Sequence, residues 1–155
     1  MLTVKTYLAP SLIHGIGLFA QEPIPARTVV WKFDHVIDKV YNEPTFLKLC
    51  SVANDPTLQH LLNASYKRGG RYFYLTDNAR FINHTENNPN IEFIDDYCEI
   101  AIRPIAAHEE IMENYLHSYD ATDFFFQEIS NPDPTYYLHN LRAGRPADAY
   151  RKNLS

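Results

Sequence analysis

The chain has 155 residues, enough for one domain with a sizeable core. Apolar residues make up 45% of it, which excludes a disordered chain, and the net charge of −5 argues against non-specific binding to nucleic acid. The two cysteines, Cys50 and Cys98, match no zinc spacing. No signal peptide follows Met1 and no apolar run could span a membrane. We therefore expect an intracellular protein, cytoplasmic or nuclear, with no membrane partner.

Short strands and a helical insert are predicted for the first half. β-Branched and aromatic residues cluster between Gly and Pro signals, which favours strands. The candidate strands are residues 4–8, 18–20, 28–33 and 35–41. A helical insert is predicted at about residues 44–68, with Asp55 as N-cap, Pro56 at the first helical position and leucines at helical spacing. Gly69-Gly70 ends this insert.

The second half mixes strands with later helical segments. Strands are predicted at residues 71–75 and twice within 91–105. After Tyr115 the pattern turns helical, with Asp120 and then Asp133-Pro134 as cap signals. No internal repeat and no regular βαβ alternation is visible, so an α+β class is predicted rather than a Rossmann-type fold.

Three separated segments are rich in groups that could build a site. Residues 14–20 (HGIGLFA) carry two glycines, which let a ligand approach the backbone closely. Residues 78–90 (NARFINHTENNPN) place hydrogen-bonding side chains beside apolar Phe81 and Ile82. Residues 109–115 (EEIMENY) are acidic and end on a tyrosine. Taken singly, they also fit a turn, a polar loop and an acidic strand.

In this order the three segments resemble the SET domain. That family carries a GxG-type turn near its start, R-F-x-N-H-S followed by N-x-x-P-N-like residues, and E-E-L-x-x-D-Y near its end. The resemblance covers residues 2–119 and implies a β-clip fold: small β-sheets around a pseudoknot, in which residues 110–115 pass through a loop near Asn83-His84. The expected organisation is a SET domain at residues 1–119 and a helical tail at residues 120–155 that closes the site.

The resemblance implies an S-adenosylmethionine-dependent protein-lysine N-methyltransferase. Tyr115 matches the family's catalytic tyrosine and is also a candidate cofactor contact. The backbone at Ile16 and Gly17 matches the cofactor-binding turn. Asn83 and His84 match the pair that holds S-adenosylmethionine through side-chain and main-chain bonds.

Three further residues have two interpretations each. Arg80 either reaches the cofactor or forms a surface salt bridge. Tyr72 and Tyr74 share one face of a strand by alternation, and they either line the lysine channel, as part of the catalytic site, or pack in the core.

The chain also departs from the family pattern. Asn114 stands where Asp is usual, Glu113 where an apolar residue is common, and Thr85 where Ser is usual. The cysteine-rich zinc segment that follows many SET domains is absent from the sequence, so aromatic residues of the tail are candidates to close the site; these are Phe124, Phe125, Phe126, Tyr136 and Tyr137. Two alternatives stay open: a catalytically weak or inactive SET-fold module that binds peptide or S-adenosylmethionine, and a β-rich scaffold with accidental motifs.

The expected partner is a lysine-containing protein or peptide. A histone tail is the first candidate, on family analogy and because a negative chain attracts a basic partner. No direct nucleic-acid partner is expected. The seven histidines show no metal-binding spacing, so no metal is predicted. A homodimer is compatible with the small size, although no residue pattern decides it.

Overall fold

A computed structural model describes residues 1–126. Its strands are β1 (Thr6–Pro10), β2 (Ile16–Ala20), β3 (Val29–Lys32), β4 (Lys39–Asn42), β5 (Ser65–Arg68), β6 (Arg71–Tyr74), β7 (Asn83–His84), β8 (Ile91–Asp95), β9 (Cys98–Ala101) and β10 (Met112–Glu113). Its helices are α1 (Glu43–Val52), α2 (Asp55–Asn63), α3 (Tyr115–Ser118) and a short 3-10 helix (Asn78–Phe81). These small sheets and few helices confirm the predicted α+β class.

The chain forms two compact units. The first contains residues 1–39 and 75–118, and the second contains residues 40–74 and the described residues from Tyr119 onward. Within residues 1–126, no helix has the length and apolar character needed to cross a bilayer.

The first unit is built on a two-stranded and a five-stranded sheet. β1 pairs antiparallel with β2, and the larger sheet has the order β3-β9-β8-β10-β7. Large apolar side chains from both sheets fill the core, and burying each one contributes about 1.5–3 kcal/mol. The most deeply buried are Leu18, Val30, Trp31, Ile91, Ile105 and Ile111.

The short strand β10 lies between β7 and β8, which are the two ends of one short stretch of chain. It runs parallel to both, with Met112 opposite Asn83 and Glu113 opposite His84 and Ile91. Asn90, fully buried, holds it from the side: its backbone N–H donates to Met112 O at 3.0 Å and its Oδ1 accepts from Met112 N at 2.8 Å. Residues 83–91 thus flank the segment that leads to Tyr115 on both sides, an arrangement compatible with the implied pseudoknot.

An internal repeat joins the halves of the first unit, although no repeat was predicted. Residues 18–30 (LFAQEPIPARTVV) and 99–111 (EIAIRPIAAHEEI) align without gaps, and the aligned pairs include identical Ala, Pro and Ile residues. Their counterparts Ile24 and Ile105 donate backbone N–H groups to each other's carbonyl oxygens, both at 2.9 Å. The repeat was missed because few side chains are identical, whereas the backbone hydrogen bonds are symmetrical.

The same symmetry places two non-glycine residues in the left-handed region. Arg27 has φ 69° and its counterpart His108 has φ 67°. Arg27 N donates to Ala101 O at 2.7 Å, and His108 N donates to Ala20 O at 2.8 Å. Both strained conformations are therefore fixed by equivalent bonds across the repeat.

The second unit contains α1, α2 and a three-stranded sheet in the order β4-β6-β5. Helix α2 is capped by Asn54, whose Oδ1 accepts from Thr57 N at 3.0 Å, and not by Asp55 as predicted. Both residues are good caps, and the chain entering the helix places the extended residue one position earlier. The predicted insert also ends in a strand: β5 and β6 form a hairpin around Gly69-Gly70, whose positive φ angles of 57° and 72° suit a two-residue turn.

Two acidic residues after Tyr119 bond to the hairpin of the second unit. The Asp120 carboxylate accepts from Gly69 N at 3.0 Å and Gly70 N at 2.7 Å, so it stabilises the turn instead of capping a helix as predicted. Asp123, 3% exposed, accepts from Lys67 N and from Phe125 N, the latter at 2.8 Å. The predicted cap at Asp133-Pro134 lies outside the described residues.

Replacing Arg27 by Gly tests the strain at the repeat. We expect a gain of about 0.5–1 kcal/mol in the free energy of unfolding, because relief of the left-handed conformation, about 1–2 kcal/mol, outweighs the added entropy of the unfolded chain. Urea unfolding measures it. Ala26→Gly, at an exposed neighbour without positive φ, should lower stability instead. Equal losses in both variants would contradict the assigned strain.

Burial raises the pKa of Asp123 to about 6, against the two backbone hydrogen bonds that lower it. The folded state then binds this proton more tightly than the unfolded state, where the pKa is about 3.9. Asp123 should therefore reduce the free energy of unfolding as pH rises from about 4 to 6, and the reduction should persist above that range. Comparing urea unfolding of the wild type and Asp123→Asn between these pH values tests this, and parallel profiles would refute it.

Candidate functional site

The start of β2, just after the turn from β1, lies unusually close to a carboxylate. Gly15 has φ 50°, and its carbonyl accepts from Ser11 N at 3.0 Å. A Cβ added at Gly17 would lie 2.2 Å from Glu110 Oε1 and 3.1 Å from Ser11 Cβ. Gly17 is needed here because the Glu110 carboxylate lies directly against the backbone.

Asn83 joins this turn to the five-stranded sheet. Its Nδ2 donates to Glu110 Oε1 at 2.8 Å, and it also lies 3.1 Å from His14 O and 3.3 Å from Ile16 O. The predicted cofactor residues Ile16, Gly17 and Asn83 are thus brought together, although they come from distant parts of the chain.

Tyr115 lies against the β7 segment through two hydrogen bonds. Its hydroxyl donates to Ile82 O, and its backbone N–H donates to His84 Nδ1 at 3.1 Å. The rings of Tyr115 and His84 have centroids 5.2 Å apart. As the acceptor of this hydrogen bond, His84 Nδ1 is the ring nitrogen that carries no hydrogen. Tyr115 and His84 therefore share one site, and both side chains are held in fixed orientations.

The two departures beside Tyr115 have different structural consequences. Asn114 Oδ1 accepts from Leu116 N at 3.0 Å, so an amide oxygen makes the bond to the first turn of α3 that a carboxylate would make. Glu113 lies in β10 and is 3% exposed, so a carboxylate occupies a position that suits an apolar residue.

Arg80 forms no salt bridge among residues 1–126. Its guanidinium lies 4.8 Å from the centroid of the Phe81 ring, and its Nε is buried without a hydrogen-bond partner in that part of the chain. This excludes the predicted surface salt bridge with any described residue, and it leaves a buried donor next to the Asn83 segment.

Tyr72 and Tyr74 belong to the second unit. Tyr72 is 1% exposed, and its ring stacks on Phe46 with centroids 4.1 Å apart. Its pKa is raised, first by burial and then by nearby acidic groups such as Glu43. Tyr74 is half-buried, and its hydroxyl lies 2.8 Å from His60 Nε2. Tyr72 is thus a core residue, and Tyr74 is a strand residue whose hydroxyl is hydrogen-bonded. Neither tyrosine takes part in the mechanism proposed below.

A second carboxylate, that of Glu109, lies next to Glu110 and is held by several hydrogen-bond donors. Glu109 receives a 2.6 Å ion pair from Arg103 and bonds from Ala106 N and Asn90. Burial by itself would raise the pKa of Glu109, but these donors together lower it. Glu109 is thus held ionised beside the strand that leads to Tyr115.

Ser11, Asn90 and Glu110 were not among the predicted site residues. Asn90 and Glu110 lie inside the recognised segments, so their motifs offered a signal. Ser11 precedes the GxG segment, and nothing in its local sequence marks it. Among residues 1–126, no group of three or more His, Cys, Asp or Glu is arranged to hold a metal ion.

Comparison with known proteins identifies the family. A family model described as SET domain matches residues 15–116, more than half of the chain, whereas no curated protein sequence matches. Among solved structures, the chain is similar to ctPRC2 in an autoinhibited conformation bound to S-adenosylmethionine, with TM-score 0.57 and 19% identity over 82% of this chain. It is also similar to a humanized mutant of the Chaetomium thermophilum Polycomb Repressive Complex 2 bound to an inhibitor, with TM-score 0.54 and 20% identity over 75% of this chain.

The two structures are much longer than this chain, which covers 17% and 15% of them respectively. At such identities they show a shared fold, and the match to the family model shows membership. The chain belongs to the SET domain family.

Proposed function

We propose that this chain is a protein-lysine N-methyltransferase that uses S-adenosylmethionine. The observation that carries the proposal is the convergence of the GxG turn, Asn83 and Tyr115 in the first unit, through hydrogen bonds between segments far apart in sequence. The chain also belongs to the SET domain family, whose members are typically lysine methyltransferases, and this supports the proposal.

The residues at the turn suit an amino-acid-bearing cofactor. The carbonyl oxygens of His14 and Ile16 accept from Asn83 Nδ2, so the Asn83 amide oxygen faces the opposite way, where it can accept a hydrogen bond from an ammonium ion. Gly17 leaves the backbone uncovered, and the Glu110 carboxylate adds negative charge nearby. When bound, S-adenosylmethionine supplies a methyl group on a positively charged sulfur. Ile16, Gly17, Asn83 and His84 would hold it, with Arg80 and Tyr115 as further contacts.

Tyr115 is the proposed catalytic residue. A lysine amine has an ordinary pKa of about 10.4, so it must lose a proton before it can attack. The Tyr115 hydroxyl donates a hydrogen bond to Ile82 O, which directs its oxygen lone pairs toward other donors. Such an oxygen can accept an N–H from the neutral amine and orient the nitrogen lone pair, so it supplies rate by positioning.

A basic, lysine-containing segment such as a histone tail is the proposed substrate class. The net charge of −5 attracts a basic partner electrostatically. The alternative is a SET-fold module that binds peptide or cofactor without methyl transfer, and the buried carboxylate of Glu113 favours it. The hydrogen bond from Leu116 N to Asn114 Oδ1 favours the enzyme, because Asn114 keeps the local hydrogen bonding although it replaces the usual Asp.

Tyr115→Phe tests the enzyme. We expect unchanged binding of S-adenosylmethionine by calorimetry, and transfer of radiolabelled methyl groups to mixed histones reduced about a hundredfold, since the positioning oxygen is lost. Tyr97→Phe, at a tyrosine 41% exposed, is the matched control and should change neither. A wild type that binds no cofactor at millimolar concentration would refute the proposal. Cofactor binding without transfer to histones, or to other basic proteins offered next, would favour the binding module.

Gly17→Ala tests the cofactor turn. The new Cβ must displace the Glu110 carboxylate and press on Ser11, so we expect S-adenosylmethionine to bind at least about tenfold more weakly. Gly70→Ala is the control: φ is 72° there but no atom lies within 4 Å of the new Cβ, so stability should fall while affinity stays. Wild-type affinity in Gly17→Ala would contradict the placement of the cofactor at this turn.

A further inference from the structure

The Glu110 side chain bonds to two other parts of the first unit. Its Oε1 accepts from Asn83 Nδ2 at 2.8 Å and its Oε2 accepts from Ser11 Oγ at 3.0 Å. Ser11 Oγ in turn accepts from the backbone N–H groups of Ile13 and His14 at 2.9 and 3.2 Å. The carboxylate is therefore tied to the turn on one side and to Asn83 on the other.

The framework of the first unit does not require a carboxylate at this position. In the internal repeat the counterpart of Glu110 is Val29, which is 36% exposed. The symmetrical framework bonds are made by backbone groups: Ala20 N donates to Glu109 O, and Ala101 N donates to Thr28 O, both at 2.9 Å. A carboxylate in one copy alone indicates a role other than holding the two copies together.

Glu110 is the charged member of the acceptors that set which way the Asn83 amide points, and it lies closest to Nδ2, at 2.8 Å. Three oxygen acceptors, those of Glu110, His14 and Ile16, surround Asn83 Nδ2. Turning the amide over would set Oδ1 against these oxygens, and the charged carboxylate makes that arrangement the most unfavourable. Oδ1 therefore points away from them, and among residues 1–126 it accepts no hydrogen bond.

We propose that Glu110 is a positioning residue for cofactor binding. By bonding to Nδ2 it presents the Asn83 Oδ1 to the ammonium group of the amino-acid part of S-adenosylmethionine, and Ser11 keeps the carboxylate in place. The group that this arrangement selects is the ammonium of a free amino acid. This inference rests on the proposed function, because it takes S-adenosylmethionine as the ligand.

The first test needs no cofactor. In nitrogen-15 NMR spectra of the full chain, the side-chain amide of Asn83 should show one strongly shifted proton that is protected from exchange. Glu110→Ala should reduce both the shift and the protection, with His14 O and Ile16 O left as the remaining acceptors. Glu110→Gln keeps an acceptor for Asn83 and should retain most of the shift. An Asn83 signal that is the same in Glu110→Ala and the wild type would overturn the inference, whether or not the cofactor binds.

The second test uses two ligands that differ in the amino acid. By calorimetry, Glu110→Ala should weaken S-adenosylmethionine about tenfold and leave methylthioadenosine, which has no amino-acid part, unchanged. The double variant Glu110→Ala with Asn83→Ala should bind S-adenosylmethionine no more weakly than Asn83→Ala alone, because the two changes remove the same interaction. Glu92→Ala, an exposed carboxylate on β8, is the matched control and should bind both ligands as the wild type does.

The outcomes separate this inference from the proposed function. Equal losses for both ligands, additive losses in the double variant, or no loss in Glu110→Ala would each overturn the positioning role while leaving the enzyme intact. A wild type that binds neither ligand would refute the proposed function, and the Asn83 resonance would then decide whether Glu110 orients the amide.

Discussion

The placement of β10 between β7 and β8 is the constraint on which the candidate site depends. Asn90 makes it possible, because a fully buried side-chain amide supplies both a donor and an acceptor to the passing strand. Leaving these buried groups unpaired would cost about 1–3 kcal/mol for each of them, so the strand is held in one register. That register sets Tyr115 beside His84 and Glu110 beside Asn83.

The internal repeat shows how a symmetrical framework carries an asymmetrical site. Backbone hydrogen bonds pair Ile24 with Ile105 and fix Arg27 and His108 in the same left-handed conformation. Side chains differ between the copies: the second copy has carboxylates at Glu109 and Glu110 where the first has Thr28 and Val29. Since both copies form the same bonds, the framework tolerates this divergence, and the second copy is able to take part in the site.

The surroundings of the site combine fixed dipoles with one carboxylate near a proposed cationic ligand. Carbonyl oxygens, an amide and a hydroxyl are already oriented by the fold, so little reorganisation is needed when a ligand binds. The Asn114 amide fits this pattern, because it makes its hydrogen bond to α3 without adding a buried charge beside Tyr115. The aromatic cluster around Tyr72 performs a separate task, the packing of the second unit.

The sequence by itself determined the family, the α+β class and the residues of the three segments, since the chemistry of glycine, asparagine and tyrosine is carried by short local motifs. Tertiary structure decided what local patterns leave degenerate. Asn54 and Asp55 are equally good caps in isolation, and Gly69-Gly70 can end a helix or form a hairpin. The contact of Glu110 with Gly17 and Asn83, like the repeat, joins residues far apart along the chain. Such contacts depend on strand register and on the entropy of long loops, which no local spacing encodes.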